Sequence, residues 1–287
     1  MLNIDLHCHS NVSDGMLSPA EVVARAAANG VHALALTDHD DVAGLDAARV
    51  AADAAGVTLI PGVEISVSWR GQTLHIVGLR IDSSHPELAA GLAGIRAGRM
   101  ERGRRMGDDL AKSGIPGAYE GAYDCAVNKQ MVGRTHFARW LVAQGHAPDI
   151  RSAFRRFLTR GNPGYVEHEW TSLESAVNWI RASGGMAVIA HPGRYAFNAR
   201  DLHLLLDAFR AFGGEGIEVI TGSHHPSEYG KFADLARAFG LKASRGTDFH
   251  APAEGVDIGR LPALPHYCRP VWQGWPELAP HFSLSPA

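Results

Sequence analysis

The chemistry in this chain is concentrated in its histidines. There are 16, and several stand beside carboxylates or alternate with other ligand-type residues, as in Asp5-Leu6-His7-Cys8-His9, Thr37-Asp38-His39-Asp40, Ala190-His191-Pro192 and Thr247-Asp248-Phe249-His250. Imidazole is the commonest protein ligand for metal ions. His-x-His and Asp-x-His put both side chains on one side of an extended segment, because a strand has period two. Such a pair can chelate one ion or bridge two. Imidazole mixed with carboxylate suits zinc, manganese or iron better than calcium or magnesium. A single histidine is more often structural or solvated, so it is the set that points to metal.

These residues must be brought together by the elements that carry them. Short apolar runs predict strands over 2–6, 32–37, 57–61, 65–69, 74–79, 187–190, 217–220 and 241–244, and helical patterns fall over 19–29, 44–55, 172–182, 199–212 and 227–239. Ser18-Pro19 is an N-cap followed by proline at the first helical position, and Gly30, Gly56 and Gly240 lie just past helix ends. Strands alternating with helices imply a parallel sheet. The short link Arg70-Gly71-Gln72-Thr73 makes 65–69 and 74–79 a hairpin. On this map His7, His9, His39, Glu64, His191, Asp248 and His250 each follow a strand. In a parallel barrel, that is the face where active sites are built.

The segment 86–163 is different: helical, arginine-rich and without a strand pattern. It reads as an inserted cap (86–163) on a barrel made of 1–85 and 164–287. Arg96, Arg99, Arg102 and Arg105 recur every three residues, so neighbours in the series share a helical face. The tail after Ala251, rich in Pro and Trp, is expected to wrap the outside.

Composition narrows the function. With 46% apolar residues, the 287-residue chain can bury a full core. A net charge of −3 argues against a protein that binds long nucleic acid through its overall field, but leaves room for a basic pocket. Cys8, Cys125 and Cys268 are too few and scattered for a disulfide framework. No basic leader and no apolar run of ~20 residues is visible, so a cytoplasmic protein away from membranes is expected. No obligate protein partner is evident.

As a set, Asp5-Leu6-His7-Cys8-His9-Ser10 with Asp14-Gly15, Thr37-Asp38-His39-Asp40, Pro61-Gly62-Val63-Glu64, Ala190-His191-Pro192 and Thr247-Asp248-Phe249-His250 resemble the PHP (polymerase and histidinol phosphatase) family. The resemblance covers nearly the whole chain. It implies an α/β fold, a distorted TIM-like barrel of seven strands, with three divalent cations, manganese first and zinc, iron or magnesium as alternatives. It would place one ion on His7, His9, Glu64 and Asp248, and a second on Glu64, His75 and His191. The third would sit on Asp14, His39 and His250. Some members have a histidine where this chain has Asp14. The stretches 133–139 and 161–166 resemble the branch that removes the 3′-phosphate of nucleoside 3′,5′-bisphosphates or degrades short RNA from its 5′ end.

Three divalent ions set against Asp14, Glu64 and Asp248 leave a charge suited to a phosphate dianion plus a metal-bridging hydroxide as nucleophile. Arg99, Arg102, Arg105 and Arg134 are the candidates for binding substrate phosphate, because Arg binds it bidentately and keeps its charge; the plainer alternative is a solvated basic face. His225 could serve the leaving group or a phosphate, or simply begin the helix after it. Asp5 is expected to support the ligands rather than join them, and Asp38 or Asp40 could be a helix cap. The expected activity is a bisphosphate phosphatase acting on a small nucleotide. The alternatives are a 5′→3′ exoribonuclease on short RNA, a histidinol-phosphate phosphatase, and a metal-binding regulatory module. The spare arginines argue against the histidinol-phosphate reading, and the intact ligand set argues against the regulatory module.

Overall fold

The protein is described by a computed structural model covering residues 2–282. Its strands are β1 (Ile4–Asp5), β2 (Ala33–Leu36), β3 (Thr58–Trp69), β4 (Gln72–Leu79), β5 (Thr171–Ser172), β6 (Met186–Ile189), β7 (Gly216–Thr221) and β8 (Lys242–Gly246). Its helices are α1 (Pro19–Ala28), α2 (Leu45–Ala55), α3 (Pro86–Lys112), α4 (Ala118–Cys125), α5 (Arg134–Ala143), α6 (Ile150–Ala153), α7 (Leu173–Ala182), α8 (Ala199–Ala211), α9 (Tyr229–Ala238) and α10 (Ala279–Phe282).

The sheet runs β1-β2-β3-β4-β6-β7-β8, with the two-residue β5 paired to β3 off that path. The two edges meet: Leu6 N–H donates to Arg245 O at 3.0 Å and His9 N–H to Phe249 O at 2.9 Å. The result is a nearly closed barrel of seven strands. All its neighbours are parallel except at β4, which is antiparallel to both β3 and β6. Arg70 and Gly71, both with positive φ, make the two-residue turn from β3 to β4, the conformation that matches hairpin twist.

Alternation along the strands separates two cores. Ala33 and Ala35 of β2, Ile60 of β3, Val77 and Leu79 of β4 and Val188 of β6 face one cluster, inside the barrel. Leu34, Leu36, Val63, Ile65, Ile76 and Ile189 face a second, between barrel and helices. The tail departs from expectation. Val271, Trp275 and Leu278 belong to the inner cluster, so the tail plugs the barrel as well as wrapping it. Burying a large aromatic there removes more apolar surface than an external strap could.

A third cluster, including Met106, Leu110, Phe137, Leu141 and Leu158, lies within the segment between β4 and β5. Leu88, Leu92 and Ile95, in the first turns of α3, belong instead to the barrel–helix core. The long helix α3 therefore starts on the barrel and ends in the helical segment.

One expected boundary is absent. The strands expected at 57–61 and 65–69 form the single 12-residue β3. Pro61-Gly62 reads as a turn, yet it stays extended and in register with Leu36 and Leu79. Gly62 is needed there, since a Cβ would lie 2.7 Å from Thr37 Cγ2.

Candidate metal centre

Glu64 therefore sits inside a strand and not after one. It shares the inward parity of Ile60, two inward positions further along β3. His75 shares the parity of Val77 and Leu79, and because β4 runs backwards its early residues lie at the same end as the late residues of its neighbours. Ser66 and His75 are paired in register. The remaining candidates lie on the loops that leave β1, β2, β6 and β8 at that end.

All nine residues named by the resemblance converge. Glu64 is fully buried at the centre. Its Oε1 lies 3.0 Å from His75 Nδ1, 3.0 Å from His191 Nε2 and 3.3 Å from His7 Nε2. Its Oε2 lies 2.8 Å from His39 Nδ1 and 3.4 Å from His9 Nε2. Asp248 Oδ1 is 3.2 Å from His9 Nε2 and 3.5 Å from His7 Nε2. On the open side, Asp14 Oδ1 is 3.2 Å from His250 Nε2, and Asp14 Oδ2 is 3.9 Å from His39 Nε2. Four overlapping groups have ligand atoms within 4.8 Å of one another: His9, Asp14, His39 and His250; His7, His191 and Asp248; His7, His9 and Glu64; and His39, Glu64 and His75.

These residues fit cations. Glu64 Oε2 and Asp14 Oδ1 are buried acceptors with no hydrogen-bond partner among the described residues; such atoms are costly unless something positive meets them. The imidazoles are held from behind. His7 Nδ1 meets Glu218 Oε1 at 2.8 Å, and His250 Nδ1 meets Asp248 O at 2.8 Å. Each contact orients the ring with Nε2 toward the cluster. Electrostatics agree with a site shared between bases and acids. Burial opposes ionisation of Glu64, but His75, His39 and His7 outweigh it and hold the carboxyl well below its usual range. Burial, then His250, lowers His9 to about 3. Burial opposes charge on His250 as well, but Asp14 lifts it to about 9. His191 and Asp248 take positive φ, 26° and 55°, the backbone strain that recurs at functional sites.

The cluster opens into a pocket also lined by Arg99, Arg102, Arg134, Phe154, Trp170 and Arg194. Arg99 is tied down. It forms a very short ion pair with Asp40 and donates to Ser66 Oγ at 2.8 Å. Arg102 is 7% exposed, and among the described residues its one hydrogen bond is a 3.3 Å contact to Val166 O. It lies 5.5 Å from the Trp170 ring. Arg134 lies 5.9 Å from the Phe154 ring. Among the described residues, neither Arg102 nor Arg134 has a carboxylate partner. Burial first, then Arg134 and Arg99, pushes the Arg102 guanidinium down to about 9. An anion between these arginines would relieve that.

Two expected substrate residues lie elsewhere. Arg105 is exposed and outside the pocket wall. A step of three residues falls short of a full helical turn, so the series drifts round the helix, and only Arg99 and Arg102 are both buried and in the pocket. His225 is exposed as well. Its Nδ1 meets Ser227 Oγ at 2.8 Å and caps the turn Pro226–Glu228, as the plainer alternative had it. Its neighbour His224 is the buried one, accepting from Gly193 N–H at 3.0 Å. Asp38, with Ser10 and Ser13, and Asp40, with Arg99, cap no helix but tie the loops beneath the cluster. Asp5 accepts from the backbone of Thr247 and Gly259 and fixes the chain ahead of Asp248.

Sequence reasoning missed several participants. Glu218 is a fully buried acid in the apolar run Ile217-Glu218-Val219-Ile220, and that mismatch was a readable signal. Arg194, three residues after His191, donates to Asp248 Oδ2 at 2.8 Å. Thr135 donates to Asp14 Oδ2 at 2.8 Å; nothing local announces a contact between residues so far apart in the chain.

A seven-stranded barrel whose mouth gathers imidazoles and carboxylates beside a basic pocket is the architecture of a metal-dependent phosphoesterase. Residues 5–221 match the PHP domain family, and the chain belongs to it. It is 54% identical over 274 residues to a 3′,5′-nucleoside bisphosphate phosphatase from Chromobacterium violaceum, covering 95% of this chain and 96% of that one. It is 43% identical to a 5′-3′ exoribonuclease from Haemophilus influenzae, over 94% of this chain and 97% of that one. Among solved structures, it superposes with a TM-score of 0.92 on a Chromobacterium violaceum amidohydrolase with bound sulfate and no metal, at 54% identity and covering 94% and 95% of the two chains.

Proposed function

We propose that this chain is a metal-dependent phosphatase that hydrolyses the 3′-phosphate of nucleoside 3′,5′-bisphosphates, giving nucleoside 5′-monophosphate and phosphate. The similarity to the Chromobacterium violaceum phosphatase, end to end at 54% identity, supports this substrate. The observation that carries it is the pair Arg102, buried, and Arg134, half-buried, which among the described residues have no carboxylate partner and stand in the wall of the pocket that also opens on Asp14, His39, His75 and His250. One anchor at the acid–imidazole cluster and a second at the arginines suit a substrate with two phosphates.

In this reading His7, His9, Asp14, His39, Glu64, His75, His191, Asp248 and His250 hold three divalent cations, manganese by preference. Bound cations would polarise the phosphoryl oxygens and acidify water for attack at phosphorus. The chain's own residues do the rest. Glu218 fixes His7. Arg102 and Arg134 take the non-reacting phosphate, with Trp170 and Phe154 keeping water from their guanidiniums. Residues 86–163 act as a cap on the barrel of 1–85 and 164–287. The substrate is a small nucleotide rather than long nucleic acid, and the protein works in the cytoplasm. Among the described residues, no helix is long and apolar enough to cross a membrane.

A second reading, 5′→3′ exonuclease on short RNA, draws on the relatives from Haemophilus influenzae and Escherichia coli, 43% and 42% identical. Phosphorus NMR of the product from a 3′,5′-bisphosphate with Mn²⁺ tests the proposal. The 5′-monophosphate should form, and chelator should stop it. Release of the 5′-phosphate, or turnover indifferent to chelator, would contradict it.

A further inference from the structure

Eight of the nine clustered side chains are positioned by the barrel and its loops. Asp14 is the exception. It lies in the loop after β1, and the cap helix α5 grips it at two points. Thr135 Oγ1 donates to Asp14 Oδ2 at 2.8 Å, and Arg139 Nη1 donates to the Asp14 carbonyl at 2.7 Å. Thr135 and Arg139 are four residues apart, so they share one face of α5. Arg139 is braced in turn by Glu254, at 3.6 Å, on the loop after β8. The other carboxylate oxygen, Asp14 Oδ1, has no hydrogen-bond partner among the described residues and faces His250 Nε2. The Thr135 bond therefore fixes which oxygen turns inward.

We infer that Thr135 is a positioning residue for the cation group His9, Asp14, His39 and His250, and that α5 links occupancy of this group to the substrate pocket. The link is short. Arg134, adjacent to Thr135 and at the start of the same helix, lines the pocket together with Thr135 itself. A phosphate that draws Arg134 inward holds the first turn of α5, and with it the Thr135 hydroxyl, against Asp14. By linkage the effect is reciprocal: anion binding tightens the cation, and the cation tightens the anion. The group His7, His191 and Asp248 shares no ligand with this one and contains no residue gripped by α5, so it should be insensitive.

This inference rests on reading Asp14 as a cation ligand, and the experiment separates the two. Mn²⁺ is titrated into the metal-stripped full-length protein by calorimetry, with and without inorganic phosphate. The wild type is compared with Thr135→Val, Thr135→Ser and Asp14→Asn, and thermal melting checks that each variant is folded. Loss of a partner that orients a ligand weakens metal binding by about 10- to 100-fold. Thr135→Val should show that loss at one class of site and leave at least one other class unchanged. Phosphate should tighten that class in the wild type and not in Thr135→Val, and Thr135→Ser should restore both. If Asp14→Asn weakens one class while Thr135→Val binds like the wild type, Thr135 has no such role and the inference falls alone. If Asp14→Asn binds Mn²⁺ like the wild type, the ligand reading falls with it.

Discussion

At the scale of single residues, charge without a partner is the most informative feature of the site. Arg99 is matched by Asp40. Arg102 and Arg134 are not matched by any acid among the described residues, and both lie in the pocket wall near aromatic rings. Truncating either to alanine removes a charge-assisted contact of about 1.5–3 kcal/mol, which is a loss of roughly 10- to 100-fold in kcat/KM. Steady-state kinetics should show this loss on a 3′,5′-bisphosphate and a much smaller one on a 3′-monophosphate, which lacks the second anchor. Arg105→Ala and His225→Ala, both outside the pocket, should leave kcat/KM close to wild type. Equal losses on the two substrates would mean that the arginines support the fold or the cations and do not recognise phosphate. The histidines and carboxylates were legible because their spacing is local: two residues within His7-x-His9 and Asp248-x-His250. The arginines were legible only in part, because a three-residue repeat does not keep to one face of a helix.

At the scale of elements, the site depends on how closely neighbouring backbones approach. Gly246 ends β8 directly against His7, and a Cβ there would lie 2.3 Å from His7 Cβ. Gly246→Ala should force β1 and β8 apart, at an overpacking cost of about 1–3 kcal/mol. A lower melting temperature together with reduced Mn²⁺ content is the expected result; unchanged values of both would show that β1 has room to move. The sequence patterns located most elements within a residue or two, but not the joining of 57–61 to 65–69. Pro61-Gly62 carries a turn signal that pairing with β2 and β4 overrides. The reversal of β4 followed from the short hairpin link. Its consequence, that His75 points into the mouth from within a strand, needs the register with Ser66.

At the scale of the whole molecule, the barrel is a support and the helical segment between β4 and β5 lines the pocket beside it. Its inner core is shut at one end by Trp275 and Leu278 of the tail; the other end is occupied by the acid–imidazole cluster. Helices α3 and α5 contribute Arg102, Arg134 and Thr135 to the pocket, and no local pattern could tie these residues to Asp14 or to the cluster. That explains why the fold and the ligand-type residues could be read from the sequence and the pocket wall only in part: Arg99, Arg102 and Arg134 were readable as candidates, but their place beside the cluster is made by packing distant segments together. It also frames the choice between small nucleotide and RNA. A pocket with two anchors favours a compact substrate. A groove that follows RNA would favour longer chains and lose affinity with salt more steeply as length grows. Specificity constants measured side by side with Mn²⁺ on a nucleoside 3′,5′-bisphosphate, a nucleoside 5′-monophosphate and a short 5′-phosphorylated RNA test this most directly. A 3′,5′-bisphosphate phosphatase should give the highest kcat/KM on the bisphosphate, with the monophosphate far below it; a kcat/KM that is highest on the RNA and climbs with its length would contradict the account.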